Sequence, residues 1–300
     1  MAERPRAADD AGPFRSGIVA VVGRPNVGKS TLVNALVGQK VAIVSDKPQT
    51  TRRDIRAIVT DDEAQIVYTD TPGFHKPRTL LGTRLNDLVG DAVDGVDVVV
   101  QVVDGAAGVG RGDAYVYEQK VATAGAPAIC VVNKIDAVRN RAEVPQLVAA
   151  AELGAFEEVV PVSAATGDGV DTVRALILAR LPEGLPLYPP DDITDQTIEN
   201  RLAELIREQA LLLTREEVPH SITAHVEEID EKVVRASVIV ETESQKTILV
   251  GKGGSVVRKI GMQARPAIEQ LLGRTIYLEL HVKVRPKWRQ NEALLERFGI

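Results

Sequence analysis

Short apolar runs alternate with amphipathic stretches along the first 181 residues. The apolar runs are IVAVVG (18–23), QIVYTD (65–70), DVVVQVVD (97–104), PAICVVNK (127–134) and EVVPVSA (158–164). They are largely Val and Ile with little alternation, which is typical of strands buried on both faces. Amphipathic stretches such as GKSTLVNALVG and DGVDTVRALILARL lie between them. The pattern predicts an α/β domain at 17–181, a mostly parallel sheet with helices on both faces.

The pattern changes after Leu181. The segment PEGLPLYPP (182–190) holds four prolines in nine residues and predicts a stiff, extended linker. The chain beyond it predicts, in order, a helix, a hairpin, a loop, a helix and a strand, followed by a short last helix in WRQNEALLERF. We therefore expect a second, α+β domain at 191–300. Residues 1–16, rich in Pro, Ala, Asp and Arg, predict a mobile tail.

Composition excludes several classes of protein. The chain of 300 residues is 44% hydrophobic and 26% charged, as globular proteins are. It has no run of eighteen apolar residues, and its first residues lack the apolar segment of a secretory signal, so we expect a cytoplasmic protein. One cysteine and four histidines exclude a disulfide framework and a cysteine-rich zinc module.

The net charge of −6 hides a strong asymmetry. Residues 191–245 carry five basic and fourteen acidic side chains, whereas residues 246–300 carry eleven basic and four acidic ones. Any surface that binds a polyanion is therefore expected in the last fifty-odd residues. Within them, Lys283, Arg285, Lys287 and Arg289 alternate as in a strand and extend this basic face, or they form a solvated edge.

The first motif has the pattern G-x-x-x-x-G-K-[ST] and lies between a predicted strand and a predicted helix. Its residues are Gly23, Arg24, Pro25, Asn26, Val27, Gly28, Lys29 and Ser30, with Thr31 next. Glycines let successive backbone N–H groups turn inward around phosphate oxygens. Lys29 is expected to reach the β- and γ-phosphates and Ser30 to bind Mg²⁺.

The second motif, Asp70-Thr71-Pro72-Gly73, ends a predicted strand. After a phosphate-binding loop, Asp70 is expected to hold Mg²⁺ through water, and the Gly73 N–H to meet the γ-phosphate.

The third and fourth motifs predict selection of guanine. Asn133, Lys134 and Asp136 follow the strand AICVV, and Ser163 and Ala164 follow EVVPV. The Asp136 carboxylate can accept two hydrogen bonds that guanine offers and adenine does not, and the Ala164 N–H can donate to guanine O6. A base that leaves this carboxylate unpaired, as adenine would, is bound much more weakly than guanine. Asn133 is expected to brace the loop and Lys134 to cover the base.

Between the first two motifs, QKVAIVSDKPQTTRRDI (39–55) is expected to be a switch. A Thr there can bind Mg²⁺ only when a γ-phosphate is present. Thr50 and Thr51 both qualify; Thr51 is favoured, and the sequence does not settle the choice.

The usual catalytic glutamine is missing, because Phe74 follows Gly73. A general base at His75 and an arginine finger from Arg24, Arg52 or Arg53 are the weaker hypotheses, since exposed loop side chains are the ordinary interpretation of all four. Asn26 is the better candidate: its side-chain carbonyl would help to hold a monovalent cation beside the phosphates. The alternative is an Asn that only stabilises the loop turn.

In the second domain, Gly251, Lys252, Gly253 and Gly254 form a G-x-x-G loop before a helix that starts at Ser255, a plausible N-cap. Such a loop lets a nucleic-acid backbone approach closely, with Lys252, Arg258 and Lys259 supplying charge. The loop and the basic C-terminal segment predict an RNA-binding module, although a plain turn would also explain the loop.

The order GRPNVGKST, QTTR, DTPGFHKP, NKID, SAATGDG and ILVGKGGSVVRKIG resembles the Era family of bacterial GTPases from about Gly17 to Phe298. The resemblance implies a P-loop GTPase domain followed by a type II KH domain, with Mg²⁺ and GTP or GDP as ligands. It implies slow GTP hydrolysis, with Phe74 matching the apolar residue at the glutamine position and Asn26 matching an asparagine linked to potassium dependence. It also implies binding to the single-stranded 3′ region of 16S ribosomal RNA and a role in 30S subunit assembly, with no DNA partner. A loose association with the cytoplasmic face of the cell membrane is a further implication of the resemblance.

Two other functions compete with a GTP-driven RNA-binding switch. The first is an RNA-binding assembly chaperone with negligible hydrolysis. The second is a membrane-associated signalling GTPase, whose clustered basic residues would bind anionic lipid.

Overall fold

The computed structural model describes residues 13–47, 49–74, 77, 79–138, 143–215 and 218–300. Two units follow one another along this part of the chain. The first comprises β1 (Arg15–Val22), α1 (Lys29–Val37), β2 (Ile55–Thr60), β3 (Ala64–Asp70), α2 (Leu80–Asp91), β4 (Val98–Asp104), α3 (Arg111–Val116), β5 (Ala128–Asn133), α4 (Glu143–Ala151), β6 (Glu158–Pro161) and α5 (Val170–Leu178). The second comprises α6 (Ile198–Leu212), β7 (Thr223–Ile229), β8 (Val233–Val240), α7 (Glu243–Val250), α8 (Ser255–Leu272), β9 (Tyr277–Val284) and α9 (Glu292–Arg297).

The first unit is built on a six-stranded sheet with the order β2-β3-β1-β4-β5-β6. All neighbours are parallel except β2, which pairs antiparallel with β3. Helices cover both faces: α1 and α5 pack on one apolar cluster, and α2 and α3 on another. The doubly covered, mostly parallel sheet is confirmed, and its strand ends at one edge place the predicted motifs together.

The second unit packs α6 and α8 against one face of a three-stranded sheet, β7-β8-β9. The predicted hairpin β7–β8 is antiparallel, and β9 runs parallel to β8. The residues between the hairpin and the glycine loop form helix α7, for which the sequence pattern predicted no element. Thr242 accepts from the Gln245 N–H, and the Gln245 side chain accepts in return from the Thr242 N–H. This reciprocal cap satisfies backbone donors that would otherwise lack partners at the helix start.

The boundary of the expected tail is also different. Strand β1 begins at Arg15, inside the segment 1–16, and residues 1–12 lie outside the described part of the chain. The linker 182–190 is fastened to the first unit: the Ser16 N–H donates to the Pro182 carbonyl at 3.1 Å, and the Gln65 side chain donates to the Tyr188 carbonyl at 2.8 Å. Its path is therefore fixed by contacts as well as by proline.

The two units are in contact through the C-terminal segment. Leu81 and Leu85 of α2 share a buried apolar cluster with Trp288, Leu295 and Phe298. Helix α2 begins at Leu80, seven positions after Gly73 of the second motif, so the C-terminal segment packs on the helix that comes next in the chain after that motif.

Among the helices of the described residues, none is both long enough and apolar enough to cross a membrane.

Candidate functional sites

The first motif forms a loop between β1 and α1 that turns its backbone inward. Gly28 adopts a φ of 98°, and a Cβ there would lie 2.3 Å from Asn133 Nδ2, so both the conformation and the space require glycine. Helix α1 begins at Lys29, whose buried Nζ donates to the carbonyls of Gly23 at 3.1 Å and Arg24 at 2.9 Å. Burial lowers the pKa of Lys29 to about 8, although the nearby Asp70 carboxylate opposes this change.

Three oxygen-bearing side chains meet beside Lys29. Ser30 Oγ donates to Asp70 Oδ2 at 2.7 Å, Thr51 Oγ1 donates to the same oxygen at 3.1 Å, and the two hydroxyls are 3.0 Å apart. An octahedral Mg²⁺ with oxygens at about 2.0–2.1 Å places adjacent ligands about 3 Å apart, so the two hydroxyls of this triangle fit one edge of such a shell, with the Asp70 carboxylate beside them. Asp70 Oδ1 is buried without a hydrogen-bond partner, and burial raises the pKa of Asp70. A cation here would satisfy a carboxylate that the protein alone leaves half-paired.

The two candidate threonines of the loop point in different directions. Thr51 is buried and faces Ser30 and Asp70. The Thr50 hydroxyl instead donates to the Lys47 carbonyl at 2.6 Å, closing a local turn. The geometry favours Thr51, and its role as a metal ligand stays a prediction.

The guanine motifs meet at the other end of the site. Asn133 Nδ2 donates to the Val27 carbonyl at 2.9 Å, so Asn133 braces the phosphate-binding loop. Ser163 Oγ donates to Asp136 Oδ1 at 2.6 Å, which orients an otherwise exposed carboxylate. The Ala164 N–H, expected to meet guanine O6, donates to Asn133 Oδ1 at 3.0 Å.

Lys134 spans the same end of the site. Its Nζ donates to Asp104 Oδ2 and to the Asn26 carbonyl, each at 2.6 Å, so its stem lies across the mouth where a base would stack. Asn26 adopts a left-handed φ of 65°, and its Nδ2 donates to the Asp46 carbonyl at 2.9 Å. The Asn26 side chain therefore connects the phosphate-binding loop to the segment 39–55, and cation binding by its side-chain carbonyl stays a prediction.

These parts surround a cavity of about 460 Å³. Its lining residues come from the phosphate-binding loop, the loop after α1, the second motif and the base motif: Pro25, Asn26, Gly28, Lys29, Ser30, Thr31, Ile43, Val44, Ser45, Asp46, Gln49, Thr50, Thr51, Gly73 and Lys134. Gly73 lies so close to the phosphate-binding loop that a Cβ on Gly73 would be 2.6 Å from Pro25 Cα. Residues 43–46 were not among the predicted nucleotide-binding residues, although they lie in the segment 39–55 that the sequence predicts to be a switch.

Several predicted site residues are not among those that line the cavity: Gly23, Arg24, Val27, Asp70, Thr71, Pro72, Asn133, Asp136, Ser163 and Ala164. The Thr71 hydroxyl is buried and donates to the Val21 carbonyl at 2.8 Å, which fixes the start of the second motif. Phe74 packs into the core and stacks on Tyr115 with ring centroids 5.3 Å apart. His75 lies outside the described residues, so a general base there stays a prediction.

The arginines considered as fingers or exposed charges are neither. Arg24 turns away and pairs with Asp113 at 2.7 Å. Arg52, only 2% exposed, donates to the carbonyl of Ile222 at 2.5 Å and that of His220 at 3.1 Å in the second unit. Arg53 donates to the carbonyls of Gly299, at 2.8 Å, and Phe298. Two arginines of the segment 39–55 therefore join the units, and no local motif in the sequence predicts these long-range contacts.

The glycine loop of the second unit opens a groove of about 350 Å³ between α8 and β9. Gly253 and Gly254 adopt φ values of 60° and 78°. The helix is capped by Gly254, and Ser255 is its first residue, so the expected Ser255 cap is wrong. The groove is lined by Gly254, Val257, Arg258, Gly261, Met262, Arg265, Tyr277, Leu278 and Leu280.

Sequence reasoning found only part of this groove. Lys252 and Lys259 are exposed but do not line it, whereas Arg258 does. Met262 and Tyr277 were missed, yet they are 65% and 67% exposed, unusual for such side chains, and would offer apolar surface to a base. Arg258, Met262 and Arg265 stand at i, i+4 and i+7 of one helix, a signal the sequence did contain.

The alternating basic run beyond the groove is not a strand throughout. Strand β9 ends at Val284, and Lys287 adopts a left-handed conformation. Lys283 pairs with Glu227 and Arg289 with Glu241, each at 2.5 Å. The continuous basic face expected from alternation is therefore wrong, because two of its four charges are neutralised by acidic partners.

Comparison with known proteins matches both units. The family model of a 50S ribosome-binding GTPase matches residues 18–134, and that of a KH domain matches residues 217–289. GTPase Era of Mycobacterium avium is 48% identical over 295 residues, which cover 95% of this chain and 99% of that protein. GTPase Era of Mycobacterium tuberculosis is 47% identical over 296 residues with the same coverage.

Solved structures of Era also match this chain along nearly its whole length. A crystal structure of Era in complex with MgGDPNP and nucleotides 1506–1542 of 16S ribosomal RNA superposes with a TM-score of 0.93 at 38% identity, covering 95% of this chain and 99% of that one. A variant of Aquifex aeolicus Era bound to GDP.AlF4- gives 0.92 at 38% identity with the same coverage. Since relatives of this identity align along nearly the whole chain, this protein belongs to the Era family of GTPases.

Proposed function

We propose that this protein is a GTP-hydrolysing switch that binds the single-stranded 3′ region of 16S ribosomal RNA and acts in 30S subunit assembly. The observation that carries the proposal is the oxygen triangle of Ser30, Thr51 and Asp70, because it brings a switch-loop hydroxyl to the expected metal position. The RNA part is supported by the GKGG loop and its groove, and by the Era structure that contains nucleotides 1506–1542 of 16S ribosomal RNA.

Each side chain has a distinct task in nucleotide binding. The Lys29 ammonium pairs with the β- and γ-phosphate oxygens, and the backbone of residues 23–30 surrounds them. Ser30 and Thr51 would bind Mg²⁺ directly and Asp70 would hold it through water, and the ion would supply positive charge beside the phosphate oxygens. Asp136 reads the guanine edge, with Ser163 fixing its orientation.

Hydrolysis without a glutamine requires another source of charge stabilisation. We assign this to a monovalent cation, K⁺, held near the phosphates with the help of Asn26. A comparison of hydrolysis in KCl and NaCl tests the assignment: the wild type should be faster in KCl, and Asn26→Ala should lose the difference. Equal rates of the wild type in both salts would contradict it.

We assign GTP binding to the first unit, which begins by Arg15 and extends to residue 181, and RNA binding to residues 191–300, with 182–190 between the two domains. The site of action is proposed to be the cytoplasm, where ribosomal subunits assemble. An association with the cytoplasmic face of the membrane stays a prediction, which pelleting with anionic vesicles in the absence of RNA would test.

The decisive experiment measures RNA affinity in two nucleotide states. An oligonucleotide that matches the 3′ end of 16S ribosomal RNA is titrated with protein bound to GDP or to GDPNP, at one fixed salt concentration. We expect tighter binding with GDPNP, and loss of binding when Gly253 and Gly254 are replaced by Asp, since the new carboxylates repel the RNA phosphates. Lys252→Ala, which keeps the glycines, serves as a milder control.

The other outcomes correspond to other functions. Equal binding in both states, with assembly supported by Lys29→Ala, would indicate an RNA chaperone with negligible hydrolysis. The absence of RNA binding in either state, together with vesicle binding, would indicate a signalling GTPase that acts at a membrane.

A further inference from the structure

The loop that carries Thr51 is held from outside the GTPase domain. We call residues 39–54 the switch loop. Arg207 of helix α6, in the second unit, donates through one terminal nitrogen to the Thr50 carbonyl. This carbonyl belongs to the peptide bond that leads into Thr51, and a peptide unit is planar. The hydrogen bond from Arg207 therefore restricts the orientation of this peptide plane, and with it the direction in which the Thr51 side chain points.

Arg207 is itself fixed by a partner on the same helix. Its Nε donates to Glu204 Oε1 at 3.0 Å, and the nitrogen bonded to Thr50 also donates to Glu204 Oε2 at 2.5 Å. Arg207 is 1% exposed and Glu204 9%. Burial pushes the pKa of Glu204 upward, but the charge and hydrogen bonds of Arg207, together with the charges of Arg53 and Arg52, outweigh this effect, and the pKa lies below its usual value. The pair is thus an ionised, bidentate one with a planar fork of fixed orientation.

The next residue of α6 holds the other arm of the same loop. Glu208 is 4% exposed, and it accepts the Val44 N–H at 3.1 Å and the Lys40 ammonium at 2.5 Å. Arg207 and Glu208, consecutive residues of α6, therefore hold the switch loop at two places, Arg207 at Thr50 and Glu208 at Val44 and Lys40. We call these contacts the grip. Both side chains are charged and nearly buried, and such groups are costly to bury unless they are paired. The ion pair of Glu208 with Lys40 requires the loop to lie where it does. Arg207 is paired with Glu204 on its own helix and holds the loop through the Thr50 carbonyl.

From this geometry we infer that helix α6 of the RNA-binding domain is part of the γ-phosphate sensor, with Arg207, Glu204 and Glu208 as positioning residues that hold Thr51 at the Mg²⁺ site. The inference rests on the proposed function, in which Thr51 binds Mg²⁺ only when a γ-phosphate is present. GDP lacks that phosphate, so the grip stabilises the GTP complex and leaves the GDP complex nearly unchanged. By thermodynamic reciprocity, GTP must then stabilise the docking of α6 on the loop by the same factor.

The test compares two nucleotides in the full-length protein. We expect Arg207→Ala to weaken GDPNP binding about tenfold or more, because a hydrogen bond from a charged donor is lost at the loop. The affinity for GDP should change less than about twofold. The Mg²⁺ concentration that half-saturates GDPNP binding should rise in parallel. Arg207→Lys, which keeps a cationic donor, should recover part of the loss.

A control on the same helix separates this role from a general loss of stability. Arg201→Ala removes the same kind of side chain six positions earlier; within the described residues Arg201 makes no hydrogen bond to the switch loop, and we expect unchanged ratios of the two affinities. RNA affinity of the GDP form of Arg207→Ala should match that of the wild type if the second unit is folded. Should Arg207→Ala prove unstable, Glu208→Gln tests the other arm: it weakens the bond to Lys40, and the GDPNP affinity should again fall selectively.

Failure of the inference is distinct from failure of the proposed function. If the wild type binds GDPNP and RNA but Arg207→Ala and Glu208→Gln weaken both nucleotides equally, the grip is only structural and the inference is wrong. If the wild type shows no GTP binding or no RNA binding, the proposed function itself is wrong.

Discussion

Lys29 is a buried cation that the protein supplies only with carbonyl partners, those of Gly23 and Arg24. Because burial lowers its pKa to about 8, it is still mainly protonated at neutral pH, and in the described part of the chain it makes no ion pair in direct contact, the Asp70 carboxylate acting on it only from nearby. Lys29→Ala should weaken GTP and GDP by at least about a hundredfold, since charge-assisted hydrogen bonds to two phosphates contribute about 1.5–3 kcal/mol each. Isothermal titration with each nucleotide measures the effect. Lys120→Ala, outside the site, is the control; a loss below tenfold would contradict the phosphate role.

Asp54 predicts a pH dependence of stability. Burial raises the pKa of this carboxyl to about 7, an effect that Arg56 opposes and Asp195, Asp70 and Asp91 reinforce. The folded protein therefore keeps a proton that the unfolded chain has already lost between about pH 4 and pH 7. The contribution of Asp54 to the free energy of unfolding is present below pH 4, falls as pH rises to about 7, and is constant above it.

The variant Asp54→Asn isolates this contribution. It cannot ionise, so its free energy of unfolding should rise relative to that of the wild type as pH increases from about 5 to 7. Denaturant titrations of both proteins at several pH values provide the measurement. Parallel curves for the two proteins would show that Asp54 has an ordinary pKa.

The sequence identified single residues wherever a motif is local. Gly28, Lys29 and Ser30 are adjacent, and the chemistry of phosphate binding demands those residue types in that order. Arg52 and Arg207 carried no such signal, since their partners lie 170 and 157 positions away. An arginine is exposed far more often than buried, and only the tertiary fold reveals which carbonyl it meets.

At the scale of secondary-structure elements, the long apolar runs predicted strands correctly, whereas elements with shorter or mixed patterns were missed. The five runs of Val and Ile became β1, β3, β4, β5 and β6. Strand β2 was missed although IRAIVT is largely apolar, because it is an edge strand interrupted by Arg56. Helix α7 was missed although Thr242 and Gln245 form the spacing of a capping box, a signal that sequence alone offers.

The groove between α8 and β9 predicts two separable kinds of RNA contact. Tyr277→Ala should weaken RNA binding about tenfold, because stacking of a base on an aromatic ring contributes about 1–3 kcal/mol. The salt dependence should stay the same. Arg258→Ala should instead reduce the slope of log affinity against log salt by about 0.7, as loss of one phosphate contact on a single strand does.

Filter binding or fluorescence anisotropy at three or four salt concentrations measures both effects. Exposed Tyr115, in the first unit, offers a matched control for Tyr277. If Tyr277→Ala altered the salt slope and left the affinity extrapolated to high salt unchanged, the stacking role would be wrong.

The whole molecule depends on contacts that cross between its units. Arg52 satisfies the carbonyls of Ile222 and His220 inside the interface, and its guanidinium lies 5.5 Å from the centre of the Trp288 ring. Arg52→Ala leaves buried carbonyls unpaired, each at a cost of about 1–3 kcal/mol. We expect the free energy of unfolding to fall by about 2–5 kcal/mol.

Small-angle scattering should then show whether the units separate. A larger radius of gyration for Arg52→Ala than for the wild type would follow from loss of the interface. Arg180→Ala, which breaks an ion pair with Glu157 inside the first unit, should change neither the radius nor the stability by much. An unchanged stability of Arg52→Ala would mean that the interface contributes little to folding.

Trp288 is fully buried at this interface, with its Nε1–H donated to the Ser221 carbonyl at 2.9 Å, and the chain contains no second tryptophan. Indole emission responds to the polarity around the ring and to nearby charges. The protein therefore carries its own optical reporter at the junction of its two units. Exchange of one nucleotide for the other can be followed from the wavelength of that emission, in unlabelled protein and in real time, and a shift on adding GDPNP would report a change at this junction directly.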